Sequence, residues 1–487
     1  MSVSGTTSDG GARGRDAGPG TPVWELLRPA VTAPVRRRGR ALQSALRAAA
    51  RSGRLAPGTR LPSSRDLAAD LGVSRGLVTE AYEQLAAEGY LRSDRGAGTW
   101  VGDAARAASP GARDRAPGRH GAAVDFLPGT PDLSLFPRAG WTAAHRTALA
   151  DLAHDGLGYP DPGGLPRLRT ALAQMLARRR GVVADPQRLV VCSGVAQALT
   201  LVGGALHARG GRTVGVEDPG SPPHAELFRA VGLRTVALPL DDEGVALGPL
   251  GSSGARCVVT TPAHQFPLGI GYSAARRAAL LDWAREVDGL VVEDDYDGDF
   301  RYDRSPVGAL QGLDPERVFY TGSVSKSLAP GLRLGWLLAP TGWVDAIVAR
   351  KRTMDLGNPV LGQEVLAGFV EGGGYERQLR RCGRAYRERR DALVTAVREG
   401  FPGAEVTGIS AGLHLIAALP ARYGPEARFL HRAREASVEI RPLSAYRADG
   451  RTAPSEDGAV RLVLGYAHLS PARIAAGVRR LVAAVDG

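Results

Sequence analysis

The chain is almost without lysine. Of its 62 lysines and arginines only two, Lys326 and Lys351, are lysine, so arginine carries nearly all the positive charge. Arginine stays protonated and cannot condense with an aldehyde. A lysine kept in such a sequence is therefore a candidate for amine chemistry. Cysteine is as scarce: Cys192, Cys257 and Cys382 are the three present, and they follow no disulfide or metal-ligand spacing. That excludes a disulfide framework and a cysteine-based metal centre, and leaves buried reduced thiols as the expectation. No uninterrupted apolar run is long enough to cross a membrane as a helix. Residues 1–20 are rich in Gly, Ser, Arg and Asp and lack an apolar core, so they read as a disordered tail and not as a signal peptide. Together these absences point to a cytoplasmic protein.

What is present exceeds one ordinary domain, since the chain has 487 residues. A net charge of +12 suggests a polyanionic partner. The stretch around which the sequence is organised runs Tyr320-Thr-Gly-Ser-Val-Ser-Lys326-Ser-Leu-Ala-Pro-Gly-Leu-Arg333. An apolar strand enters a loop of small hydroxyl residues that presents one lysine. Ser323, Ser325 and Arg333 flank it as phosphate ligands. A lysine desolvated in a pocket becomes a neutral amine nucleophile, and the cofactor this suggests is pyridoxal 5′-phosphate (PLP) held as a Schiff base.

Such a site needs a carboxylate at the pyridine nitrogen. Leu290-Val-Val-Glu-Asp-Asp-Tyr296 is an apolar strand ending in acids and a tyrosine, and the carboxyl end of a strand is where an open α/β sheet places ligand-binding groups. Asp294 is assigned to the ring nitrogen and Tyr296 to the ring hydroxyl. Asp295 is the alternative, because neighbouring strand residues face opposite ways. Further upstream, Leu189-Val-Val-Cys-Ser193-Gly-Val-Ala reads as strand, glycine turn and helix start. The backbone N–H groups of Gly194, Val195 and Ala196 would cradle a phosphate there.

Residues 21–102 follow a different logic. An amphipathic helix beginning at Ala41 stops at Ser52-Gly53. Ser63 and Asp66 form a capping-box-like start for a short helix. Gly72-Val-Ser74 is a tight turn, and Ser74 caps a second helix, 75–88, whose inward stripe is Val78, Tyr82 and Leu85. The segments 89–92 and 98–101 read as a two-stranded wing. Helix, turn, helix and hairpin make a winged helix-turn-helix, expected to bind DNA. Its second helix enters the major groove with N-terminal residues on base edges: Ser74, Arg75, Gly76 and Thr79. Ser64 and Arg65 are expected at phosphates, which set register. Arg95 and Gly98 belong to the wing, and 36–38 is a charged lead-in. Residues 103–123, rich in Ala, Arg, Gly and Pro, read as a flexible linker.

Residues 124–487 alternate apolar strands with helical stretches. The strands are expected at 189–192, 213–217, 235–240, 256–261, 289–293, 317–321 and 334–339. Continuous apolar runs indicate a sheet covered on both faces, hence an α/β, mostly parallel, doubly wound sheet. A smaller α+β domain is expected from residue 357 onward together with 124–150, with a long arginine-rich helix over 375–398.

In order, Gly158-Tyr-Pro-Asp-Pro-Gly-Gly, Thr261-Pro-Ala-His-Gln-Phe-Pro-Leu-Gly269, Glu293-Asp-Asp-Tyr-Asp and Ser325-Lys-Ser-Leu-Ala-Pro-Gly-Leu-Arg333 resemble a fold-type I PLP-dependent aminotransferase. The His-Gln-Phe-Pro and Glu-Asp-Asp-Tyr wording, with the N-terminal Leu-Pro-Ser-Ser-Arg, resembles the MocR-type transcription regulators of the GntR superfamily. The resemblance implies a homodimer in which Tyr159 reaches a neighbouring subunit's phosphate. It matches Arg461 to the carboxylate-binding arginine, with Arg441 as a second candidate. It also marks two departures from the enzymes. Phe266 stands where aminotransferases usually have an asparagine on the ring oxygen, as is common in the MocR type, and Ser221 stands where an aromatic residue is usual. His264 and His414 are assigned no chemistry, and no metal is expected.

The function implied is a DNA-binding transcription regulator that senses PLP or an amine or amino-acid adduct of it. An active aminotransferase carrying a DNA-binding module, and a sensor of PLP alone, are the rival readings. The Lys326 constellation is common to all three.

Overall fold

The computed structural model describes residues 27, 32–94, 97–103, 122–302, 307–408, 410–448 and 458–486. The expected tail 1–20, most of the linker 103–123 and the wing residue Arg95 lie outside the described residues. The chain divides into two compact units, Met1–Gly118 and Arg119–Gly487.

In the first unit the helix Arg38–Arg51 buries Leu42, Leu46, Ala49 and Ala50, one face of a 3.6-residue period. Two serines then set the turn-helix geometry. Ser63 Oγ accepts from the Asp66 N–H at 3.2 Å to open the helix Ser64–Leu71. Gly72, at φ 61°, ends that helix in the left-handed conformation that glycine adopts without strain. Ser74 Oγ accepts from the Leu77 N–H at 3.3 Å to open the helix Arg75–Ala87, which buries Val78, Ala81, Tyr82 and Leu85. Three strands complete the unit: β1 (Arg60–Leu61), β2 (Leu91–Asp94) and β3 (Gly98–Val101), in the antiparallel order β1-β3-β2. The expected two-stranded wing therefore has a third strand. Arg60 and Leu61 are too few to show a period in sequence and become a strand only by pairing with Trp100 and Thr99.

The second unit carries the remaining strands: β4 (Val124–Asp125), β5 (Leu189–Cys192), β6 (Thr213–Asp218), β7 (Arg234–Asp241), β8 (Gly244–Val245) and β9 (Cys257–Thr260). Next come β10 (Leu290–Asp294), β11 (Val318–Ser323), β12 (Gly335–Leu338), β13 (Glu405–Thr407) and β14 (His414–Leu419). The last are β15 (Val438–Glu439), β16 (Arg441–Pro442) and β17 (Val460–Gly465).

Eight of them form one sheet in the order β5-β12-β11-β10-β9-β6-β7-β8. The run from β11 to β7 is parallel, while β12 and β8 pair antiparallel with their neighbours. The expected continuous apolar runs have their explanation here. Val190, Val292, Phe319 and Leu337 pack with Leu199, Val202 and Ile347 on one face. Val291 and Val318 pack with Leu280, Leu281 and Ala284 on the other.

The smaller sheet has the antiparallel order β13-β14-β17-β16. One face, with Leu415, Leu462 and Leu464, meets Val397, Phe429, Val478 and Leu481 of three helices. The opposite face, with Ile416 and Val463, meets Leu443, Tyr446, Phe266 and Leu268. The arginine-rich helix runs Gly374–Gly400. All three cysteines are buried and free, and burial pushes the Cys192 and Cys257 thiols up to about 12. Among the described residues no helix is long and apolar enough to cross a membrane.

Candidate functional site

A cavity of about 580 Å³ opens at the carboxyl ends of β10 and β11. Lys326 enters it from the loop after β11, where its ammonium donates to the Gly129 carbonyl. Burial lowers the lysine's pKa, and Asp297 and Asp294 act in the opposite direction. Lys351 does not line this cavity: it is 0% exposed and lies 2.8 Å from the Asp355 carboxylate.

The strand alternation of β10 separates the paired acids. Asp294 lines the cavity, with Oδ2 2.9 Å from His224 Nε2, while its Oδ1 has no partner among the described residues. Asp295 turns the other way, onto Arg180 at 2.6 Å and under the Tyr320 hydroxyl, which donates to it at 2.6 Å. Tyr296 also lines the cavity, its hydroxyl 3.1 Å from His264 Nδ1; burial first, then Asp297, holds its phenol well above the usual value.

The opposite end of the cavity is the N-terminus of the helix Val195–Ala208. Its first intrahelical bonds run from the Gln197 and Ala198 N–H groups to Gly194 O, so Val195 and Ala196 keep N–H groups the helix does not use. Gly194 has φ 88°, and a Cβ there would fall 2.9 Å from the Arg333 guanidinium. The bare backbone is what allows Arg333 to close over the turn and donate to the Ser193 carbonyl. Ser323, Ser325 and Arg333 complete the lining at this end.

One residue expected at the site stands elsewhere. Arg461, half-buried on β17, does not line the cavity, whereas Arg441 on β16 does. Register explains the difference. Arg441 pairs with Val463 beside the Phe266 and Tyr446 cluster, while Arg461 pairs with Ala418, two residues back along β17. Tyr159 is 90% exposed and lies outside this chain's own cavity. Leu133, Leu149, Leu157 and Leu356 are exposed apolar side chains as well.

Sequence reasoning missed His224. It follows Ser221 by three residues on the helix Pro222–Ala230, which brings both to the cavity and seats the imidazole on Asp294. The helical spacing was the available signal. Phe266 lines the cavity edge-on to Tyr296, His414 and Tyr446 at centroid distances of 6.0, 5.1 and 5.2 Å.

In the first unit, Arg65, Ser74, Arg75 and Gly76 are exposed, and Ser64 and Thr79 are half-buried. They gather at the start of the two turn-helix elements, where Arg75 Nε reaches Ser64 Oγ at 3.4 Å. A Cβ at Gly76 would meet nothing within 4 Å, so the first turn of its helix presents open backbone. Gly98 opens β3 at φ 131°, close against the Arg60 guanidinium.

The family pattern described as "Aminotransferase class I and II" matches residues 131–481, and "Bacterial regulatory proteins, gntR family" matches 39–101. The chain is 34% identical to the HTH-type pyridoxine biosynthesis transcriptional regulator PdxR of Corynebacterium glutamicum, over 75% of this chain and 79% of that one. It is 32% identical to the probable rhizopine catabolism regulatory protein MocR of Rhizobium meliloti, over 91% and 92%. Among solved structures, the kynurenine aminotransferase of Pyrococcus horikoshii matches with a TM-score of 0.66 and 30% identity, over 74% of this chain and 90% of that one.

Proposed function

Because the chain belongs to the MocR-type transcription regulators of the GntR superfamily, we propose that its larger unit holds PLP and that the occupant of that cavity sets the affinity of its winged helix for an operator. The observation that carries this reading is the Asp294 carboxylate, buried in the same cavity as Lys326 with one oxygen unpartnered among the described residues. A buried acceptor without a partner is costly, and a protonated pyridine nitrogen would satisfy it.

PLP, when bound, supplies an electron-poor aldehyde. Lys326 is the amine that attaches it, and Asp294, held by His224, is the acceptor for its ring nitrogen. Tyr296 meets the ring hydroxyl. Gly194, Val195 and Ala196, with Ser323, Ser325 and Arg333, hold the phosphate at a helix N-terminus. Arg441, beside Tyr446 at 5.9 Å from its ring, is the guanidinium left for the carboxylate of an amine effector. Tyr159 and the exposed leucines form the face of a homodimer, with Tyr159 directed to the partner's phosphate site.

In the DNA-binding unit, Arg75 and Gly76 meet base edges and Ser64 and Arg65 meet phosphates. Coupling requires the effector to bind two domain arrangements unequally. The test is operator binding by the full-length protein without PLP, with PLP, and with PLP plus each of a panel of amino acids. A response to PLP alone assigns the protein as a sensor of the cofactor, and a further response to one amino acid assigns the adduct. Operator affinity blind to both refutes the reading.

A further inference from the structure

We propose that Lys351, which does not line the cavity, positions its phosphate cradle through the Gln197 side chain and so sets the preference of this chain for PLP over unphosphorylated pyridoxal. This inference rests on the PLP reading above.

The pivot is Ser193, the residue before the glycine turn. Its N–H donates to Gln197 Oε1 at 2.8 Å, its Oγ accepts from Asn358 Nδ2 at 3.0 Å, and its carbonyl accepts from the Arg333 guanidinium. Gly194, Val195 and Ala196 follow directly, so the aim of their N–H groups depends on how this residue is held.

A glutamine amide has nearly the same shape either way round, and only its oxygen can serve the Ser193 N–H. The neighbours select that orientation. Lys351, a donor only, lies 3.2 Å from Oε1, and the Asp355 carboxylate, an acceptor only, takes Nε2 at 2.6 Å. Turning the amide over would set its NH2 group against the ammonium and the Ser193 N–H, and its oxygen against the carboxylate. Asp355 keeps its charge. Burial would raise its pKa, but the hydrogen bonds from Lys351 and Gln197 outweigh burial and hold the carboxyl below its usual range.

Lys351 is itself fixed by packing. It stands one turn after Ile347 on the buried face of the helix Val344–Asp355. Ile347 packs with Leu199 and Val202 of the helix that carries Gln197. The ammonium also donates to Asp355 Oδ1 and Oδ2 at 3.1 and 2.8 Å. A compact ammonium reaches three acceptor atoms from this fully enclosed place, where the planar fork of a guanidinium is larger and differently shaped. That gives the second lysine a reason to persist in a chain of arginines.

The experiment titrates the ligand-free full-length protein with PLP and, separately, with pyridoxal, following visible absorbance. Lys351→Met should weaken PLP by about 10-fold and leave pyridoxal within about twofold of wild type, since the hydrogen bond at stake serves only the phosphate. Gln197→Met should do the same. The double variant should match Gln197→Met alone, because Lys351 acts through Gln197. Equal losses for both aldehydes in Lys351→Met, or a double variant weaker than Gln197→Met, overturn the inference and leave the cofactor reading intact. A wild type that binds both aldehydes alike removes the phosphate site and the inference with it, and a wild type with no visible band for either refutes the cofactor reading as well. Should Lys351→Met fail to fold, the half-buried Gln197 decides: an unchanged ratio of the two affinities in Gln197→Met overturns the inference.

Discussion

Arg180 and Asp295 meet at 2.6 Å, at 2% and 3% side-chain exposure, on the sheet face turned away from the cavity. Their pairing accounts for one of two adjacent carboxylates and leaves Asp294 as the carboxylate of β10 that faces the cavity. Asp294→Asn should weaken PLP binding by about 10- to 100-fold, the worth of one charge-assisted hydrogen bond of roughly 1.5–3 kcal/mol. Asp295→Asn should leave that affinity near wild type and instead lower stability by about 3–5 kcal/mol, since it strands a buried guanidinium. Spectral titration with PLP and urea unfolding separate the two. The reverse pattern would show that the carboxylates are assigned to the wrong faces.

Lys326→Ala should give a colourless protein. Reduction of the wild type with borohydride should label the peptide containing Lys326 and leave Lys351 unmodified, because Lys351 is fully buried and paired with Asp355. Label at Lys351 in mass spectrometry would sink the cofactor site.

Arg65→Ala should weaken binding to all DNA sequences alike and make it less salt-dependent, with a loss of about one in the salt slope, as for one phosphate contact. Arg75→Ala should cost about 1–3 kcal/mol and relax base preference at one position per half-site. Titrations against operator and scrambled duplexes at several salt concentrations distinguish them. Unchanged operator affinity in both variants would reject this docking.

Glu293 points away from the cavity and accepts from the Leu310 and Gln311 N–H groups at 2.8 and 2.9 Å. Burial, then the charge of Asp295, pushes it up from 4.5 to about 7. Its folded value lies above its unfolded one, so the stability it contributes is fully present below 4.5 and is lost as the pH rises through about 7. The denaturation midpoint of the wild type should therefore fall across that window more than that of Glu293→Gln. Parallel curves would contradict this.

Sustained transamination should be absent. Phe266 provides no hydrogen bond to the ring oxygen, and Ser221 no aromatic face. Loss of one preorganised donor lowers a rate by on the order of 100-fold, and poorer alignment lowers it further. Mixing the PLP-loaded protein with amino acids and a keto acid should give spectral change without accumulating product. Many turnovers per site would make the chain an enzyme.

Much of this protein was determined by local sequence. The continuous apolar runs of β5, β6, β10 and β11 specify a sheet covered on both faces. Ser63, Gly72 and Ser74 specify the turn between two helices through their own backbone chemistry. The scarcity of lysine, together with the small hydroxyl residues around it, singled out Lys326. Tertiary structure decided what depends on groups distant in the chain. Whether Asp294 or Asp295 faces the cavity turned on the phase of β10 and on Arg180, 115 residues away. His224 became a partner of Asp294 across 70 residues, and His264 reached Tyr296 across 32. Arg441 and Arg461 are both arginines on strands of the smaller sheet, and only the pairing register set which one reaches the cavity. Propensity and pattern act over a few residues, whereas these choices are made by hydrogen bonds that close long loops, and a linear sequence carries no local mark of them.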